Sequence, residues 1–216
     1  MAASCTIPLF PLGNALFPDG IMHLRVFEVR YLDMIRKCIA NGSSFGVVPL
    51  LAGREVRTPQ GHEVLADAGT LARIVESSAP MPGLLQVVCL GTRRFRLLSA
   101  REGKYGLWQG EAEILDDDEP VPIPAPLQAG ADALGALIAD LQQRGTPPAL
   151  MPLSPPFRLD ECGWVADRWS ELLPLSMAEK AELLLMPDPG QRLARIHEAL
   201  AQRGLLPDPP DDAQDP

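Results

Sequence analysis

"CTIPLFPLGNALFPDGIMHLRVFEVRYLDMI", residues 5–35, decides how this chain is read. It is apolar almost throughout until Glu28, and prolines interrupt it at positions 8, 11 and 18. A membrane anchor, a catalytic strand–loop unit and a barrel edge would each use such a stretch. The prolines count against the anchor, because a spanning helix needs about 20 consecutive apolar residues and proline removes a backbone donor from a helix interior. Inside the stretch the period of the apolar residues changes. Residues 6–10 and 20–27 read as extended segments. Pro8 cannot donate to a ladder, which places its strand at an edge or a bulge. Pro18-Asp19-Gly20 is turn chemistry, with φ fixed by proline and freedom supplied by glycine. From Glu28 onward Tyr31, Leu32, Ile35, Cys38 and Ile39 fall at helical spacing, and Asn41-Gly42 ends the run. The order is strand, turn, strand, amphipathic helix.

Further along, "SSFGVVPLL" (43–51) is a short β-type run, and residues 52–69 are polar and glycine-punctuated, a long hairpin or mobile loop whose residues 52–68 would form a variable rim. "TLARIVESSAP" (70–80) is the next strand, and Pro80-Met81-Pro82-Gly83 turns the chain. Residues 84–115 supply two or three more strands, with bends at Gly91 and at Gly103–Gly106. Closely spaced strands with one early helix imply a compact barrel rather than a doubly wound sheet.

The character changes at "DDDEPVPIPAP" (116–126), an acidic, proline-rich linker. Beyond it the β-type runs stop. Leu127, Leu134, Leu137, Ile138 and Leu141 share a helical face that Gly145 ends. Residues 160–175, 177–188 and 188–204 follow as helices, the last with Asp188 as N-cap, Pro189 at the first helical position and Gly204 just past the end. The domains read from this are a β-barrel over 1–117, a linker over 118–126, a helical bundle over 127–204 and a disordered tail over 205–216.

Apolar residues make up 46% of the 216, a globular composition. Charge is unevenly spread. Residues 1–115 hold 12 basic and 10 acidic side chains, whereas residues 116–216 hold 7 and 18. The acidic half argues against a general nucleic-acid surface. No basic n-region precedes the first apolar stretch, so a signal peptide is not expected, and the cytoplasm is the expected compartment. Cys5, Cys38, Cys89 and Cys162 form no CxxC pair and read as reduced thiols, with a disulfide or metal set as the other option.

Catalytic motifs are missing. There is no GxxxxGK[ST], no GxGxxG, no HExxH and no GxSxG. His23, His62 and His197 are far apart, and convergence of Cys162 with His197 lacks any local group to activate the thiol. Lys37 and Lys180 sit among other charges on helix faces and read as solvated. No cofactor, metal or catalytic residue is expected. "GTRRFRLL" (91–98) is the most basic stretch. As a strand it places Arg94 and Arg96 on one face and Arg93, Phe95 and Leu97 on the other. Two readings stand: an alternating strand with a solvated arginine face, or a contact strand for an acidic or single-stranded partner.

The opening stretch also carries a resemblance. Ile7–Leu12, Ala15–Gly20 and Val26–Ile35 are similar to the L-P-L-F-P-L strand, V-L-F-P-G turn and I-F-E-x-R-Y-x-x-M-I helix that open the Lon protease N-terminal, or substrate-binding, domain. "FGVV" (45–48), "GTLARI" (69–74), "GTRRFRLL", the strand "KYGLWQGEAEIL" (104–115) and the helical end 173–200 continue it in order and spacing, over about residues 5–204. The resemblance implies an α+β chain: a PUA-like β-barrel with one inserted helix, then a small all-helical bundle. It implies a free-standing bacterial Lon-domain protein without ATPase or peptidase modules. Such a module would bind unfolded or partly folded proteins and peptides, with Lon-pathway proteins as further partners, and neither nucleic acid nor membrane. RNA binding through the Arg93–Arg96 strand is the alternative, since PUA-like barrels include RNA binders. Phe17, Met22, Arg30, Tyr31, Met34, Arg94 and Arg96 are the expected peptide-binding residues. Phe10, Phe17, Phe27, Tyr31 and Phe95 are also expected to fill the barrel core. A peptide would add a strand to an exposed edge, or lay an apolar face into a groove between barrel and helices.

Overall fold

The computed structural model describes residues 4–55, 62–147 and 151–206. The middle of the 52–69 loop and most of the expected tail lie outside these residues. The strands are β1 (Ser4–Leu12), β2 (Ile21–Val26), β3 (Phe45–Ala52), β4 (Val64–Leu65), β5 (Ala68–Met81), β6 (Leu84–Glu102) and β7 (Trp108–Ile114). The helices are α1 (Val29–Asn41), α2 (Gln128–Gln143), α3 (Cys162–Leu172), α4 (Met177–Leu185) and α5 (Pro189–Gln202).

Strand pairing closes a ring. β1 pairs antiparallel with β7 over Ser4–Pro8 and parallel with β3 over Leu9–Leu12. β7 pairs with β6, β6 with β5 and β5 with β3, which returns to β1. Pro8 is expected at an edge or a bulge; Ser4–Pro8 pairs with β7 alone and Leu9–Leu12 with β3 alone. Pro8 sits where β1 passes from one partner to the other, so its missing donor falls at the change of ladder. Gly91 does not end a strand. It lies inside β6, where Thr70 opposes Arg94 and Ala72 opposes Gly91, a register shift that bends the long hairpin. Beyond the ring, β2 joins the first half of β6, and β2, β6 and the far end of β5 form a three-stranded arm.

Phe95 fills the barrel interior with Ile7 and Leu9. Small residues face it, and a Cβ on Gly46 would lie 2.9 Å from Ile7, Leu9 and Phe95 alike. The same apolar cluster continues through Phe17 to Leu134, Trp164, Trp169, Leu184 and Ile196 of the helices. A second cluster packs α1 on the sheet through Phe10, Leu16, Tyr31, Ile35, Phe45 and Cys89. Phe27, expected in the core, is exposed: Val26 points inward, so alternation turns its neighbour out.

The helices end where their chemistry says. Asp188 accepts from the Gly190 and Gln191 amides, Pro189 opens α5, and Gly204 has φ +62°. Ser176 and Glu179 form a capping box on α4. Helix α3 departs from the amphipathic pattern, because nine consecutive residues, Cys162 to Ser170, are buried.

Candidate polypeptide-binding surface

The residues singled out from sequence separate into two places. Arg30, Tyr31 and Met34 come together on α1. The Tyr31 ring stacks on Phe10 with centroids 4.0 Å apart, and the Arg30 guanidinium lies 4.5 Å from the Tyr31 centroid. Arg30 donates to the Gly106 carbonyl at 2.7 Å and pairs with Glu28 at 3.1 Å, which ties the start of α1 to the β6–β7 hairpin. Tyr31 and Met34 are buried, and Met22 is half-buried on β2.

Phe17 and Arg94 lie instead at the joint between barrel and helices. Phe17 is fully buried, and its N–H donates to Glu171 at 3.0 Å. Arg94 donates to the Leu184 and Met186 carbonyls at the end of α4 and pairs with Asp118. Arg192 pairs with the same Asp118 and with Asp167 at 3.1 Å. Arg168 donates to the Pro18 carbonyl at 2.6 Å and pairs with Glu171 at 3.2 Å. The segment expected as a linker thus carries a carboxylate locked between two buried arginines. The expectation that Arg94 shares a solvated face with Arg96 is corrected, because the helices cover the strand at Arg94. Arg96 is exposed 3.9 Å from Glu113, and Arg93 lies near Asp116 and Asp117. Lys180, expected to be solvated, is buried with Nζ 3.4 Å from the Glu171 carbonyl, and burial lowers its pKa.

Burial raises the carboxyls at this joint despite their arginine partners, Asp167 to about 6 and Glu171 to about 7. It also pushes up the Cys38 and Cys162 thiols, and the Cys89 thiol to about 12. No disulfide links the cysteines. Among the described residues no cluster of histidine, cysteine or acid is arranged to hold a metal, and no helix is long and apolar enough to cross a membrane.

The open surface is built from other residues. Val26 pairs with Leu85 and Leu84 with Met81, so the end of β2, the start of β6 and the end of β5 lie side by side. Phe27, Val29 and Met81 project there with 57%, 70% and 59% of their surface exposed. β3 covers β5 only at Thr70–Ala72, which leaves Arg73–Met81 a free edge among the described residues. A cleft of about 380 Å³ runs between that edge and the end of α1, with Ile39 and Val75 on its walls. A second cleft, of about 430 Å³, lies between α1 and the β6–β7 hairpin. Neither Phe27 nor Met81 was legible as surface: the aromatic Phe27 reads as core, and "APMPG" reads only as a turn.

A model of the ATP-dependent protease La (LON) substrate-binding domain matches residues 6–202. The Lon N-terminal domain protein from Xanthomonas campestris is 33% identical with a TM-score of 0.69, over 89% of this chain and 96% of that one. The N-terminal domain of Mycobacterium avium complex Lon protease has the same fold, with a TM-score of 0.57 at 18% identity, over 91% of this chain and 98% of that one. No curated protein matches.

Proposed function

Since the chain belongs to the LON substrate-binding domain family, we propose that it binds unfolded or partly folded polypeptide segments and performs no chemistry on them. The observation that carries this reading is the exposed apolar group of Phe27, Val29 and Met81 at the end of the three-stranded arm. Three large exposed apolar side chains near one end of a sheet mark a candidate interaction surface. The free edge of β5 beside it offers unpaired backbone groups to an extended chain. The poor nucleophilicity of three buried thiols with raised pKa agrees with a binding role. The cytoplasm and the Lon pathway are the setting in which such a module would meet its clients.

The test uses a permanently unfolded, carboxymethylated polypeptide as probe, with binding read by fluorescence anisotropy. Wild type should bind it. The Phe27→Ser/Met81→Ser double variant should bind at least about fivefold more weakly, as expected for two truncated interface side chains, with an unchanged circular dichroism spectrum. Equal affinity for both proteins would remove this surface from the reading.

A further inference from the structure

We propose that the cleft between α1 and the β6–β7 hairpin is a subsite for acidic segments of an extended polypeptide partner. The inference rests on the polypeptide-binding reading and adds a charge preference to it.

The protein carries a net charge of −9 and only three lysines. Two of the three, Lys37 and Lys104, line this one cleft. Neither has a carboxylate partner among the described residues; the Lys104 Nζ rests 5.0 Å from the centroid of the Tyr105 ring. Asp33, the acid on the rim, is turned to Arg36 at 3.5 Å. Arg30 lines the cleft as well, with its charge held by Glu28 at 3.1 Å and Glu63 at 3.6 Å. The cleft therefore presents two lysines with no ion pair among the described residues, on a molecule that is otherwise strongly acidic. That is the arrangement expected of a surface that meets a negative partner.

Tyr105 supplies the independent observation. It is a non-glycine residue at φ +60°, between Gly103 and Gly106, and 76% of its surface is exposed. The left-handed backbone costs about 1 kcal/mol or more for such a residue. The ring offsets little of that by burial within the protein. Its position at the cleft gives it a face to lay against a partner. Pro8, Met34 and Leu107 add apolar wall, and Ser43 and Gln109 add neutral polar groups. The volume of about 430 Å³ falls within the range of ligand sites. The matching occupant is an acidic residue flanked by apolar ones, its carboxylate between Lys37 and Lys104 and its neighbour against Tyr105.

The experiment compares two labelled peptides with identical apolar residues, one with glutamates and the other with glutamines at the same positions. Anisotropy is read on the full chain at low and physiological salt. The glutamate peptide should bind about five- to tenfold tighter, the combined effect of two partly exposed charge pairs. That preference should shrink with salt and vanish in Lys37→Glu/Lys104→Glu, while the glutamine peptide keeps its affinity. Tyr105→Ala should weaken both peptides. Equal binding of the two peptides by wild type, still sensitive to Phe27→Ser/Met81→Ser, overturns the acidic subsite and leaves polypeptide binding standing. Full displacement of the glutamate peptide by millimolar succinate also overturns it, by assigning the cleft to small anions. Binding of neither peptide removes both readings.

Discussion

Helix α3 carries Asp167 and Arg168 in its middle, yet nine consecutive residues of it are buried. At the opposite extreme, α1 opens with Val29, two residues after Phe27, and both apolar side chains stand in solvent. Composition alone would have put each in the other's place. What buries α3 is a set of partners. Asp167 meets Arg192, Arg168 meets Glu171 and the Pro18 carbonyl, and Trp169 Nε1 donates to the Gly130 carbonyl at 2.9 Å. What exposes Phe27 is strand alternation, with nothing among the described residues covering it at that end of the sheet. Charge is tolerated inside where every charge has a partner. Apolar surface stays outside where no described element packs over it.

The contrast can be broken most severely at Arg192. Arg192→Ala takes the shared cation from buried Asp167 and from half-buried Asp118, which keeps Arg94, and should cost about 3–5 kcal/mol, read as a lower urea midpoint. A loss below 1 kcal/mol would mean that the joint is held by apolar packing alone. Gly46→Ala adds a methyl group against Leu9 and Phe95 and should cost about 1–3 kcal/mol by overpacking, read the same way. A neutral result would show that the barrel interior can relax.

A third variant reads the joint by pH. Glu171 ordinarily titrates at 4.5, and burial holds it at about 7 in the native state. The native protein keeps the proton more firmly than the unfolded chain. The resulting stability is fully present below about pH 4.5 and lost as pH rises through 7. Glu171→Gln stays neutral, so the fall in stability between pH 5 and 8 should be smaller in the variant by on the order of 2 kcal/mol. An unchanged slope would place the titration elsewhere. Asp188→Ala removes the α5 cap and should lower the melting temperature, by less than the variants above. At the far end of the scale, Phe27→Ser should shift stability by no more than about 0.5 kcal/mol in the same urea titration. A large loss would make Phe27 a structural residue after all.

Local chemistry was readable from the sequence wherever neighbours alone decide it. The end of α1 at Gly42, the Pro18–Gly20 turn and the Asp188-Pro189 start of α5 are of this kind. The resemblance carried in "IPLFPLGNALFPDGIMHLRVFEVRYLDMI" supplied the barrel and the bundle. The fate of the charges was not readable. Whether Arg94 faces water depends on α4, which packs across β6 from far along the chain. The partner of Asp118 in α5 is equally remote, so "DDDEPVPIPAP" looked like a tether when one of its acids is an anchor. Of the binding candidates, Arg30 and Met34 do border a cleft. Lys104 and Tyr105 escaped notice because "GKYG" reads as a turn, and turn chemistry does not say what a turn stands over.

The closure of the barrel through β1 has a consequence for synthesis. Ser4 pairs with Glu113, and Leu12 with Pro49. A ribosome makes the first strand long before its antiparallel partner exists. Until β7 emerges, the apolar run that opens this chain has only half of its ladder, and contacts this distant in sequence form slowly. The stretch that identifies the fold is therefore also one that stays open to a nascent-chain chaperone until β7 arrives.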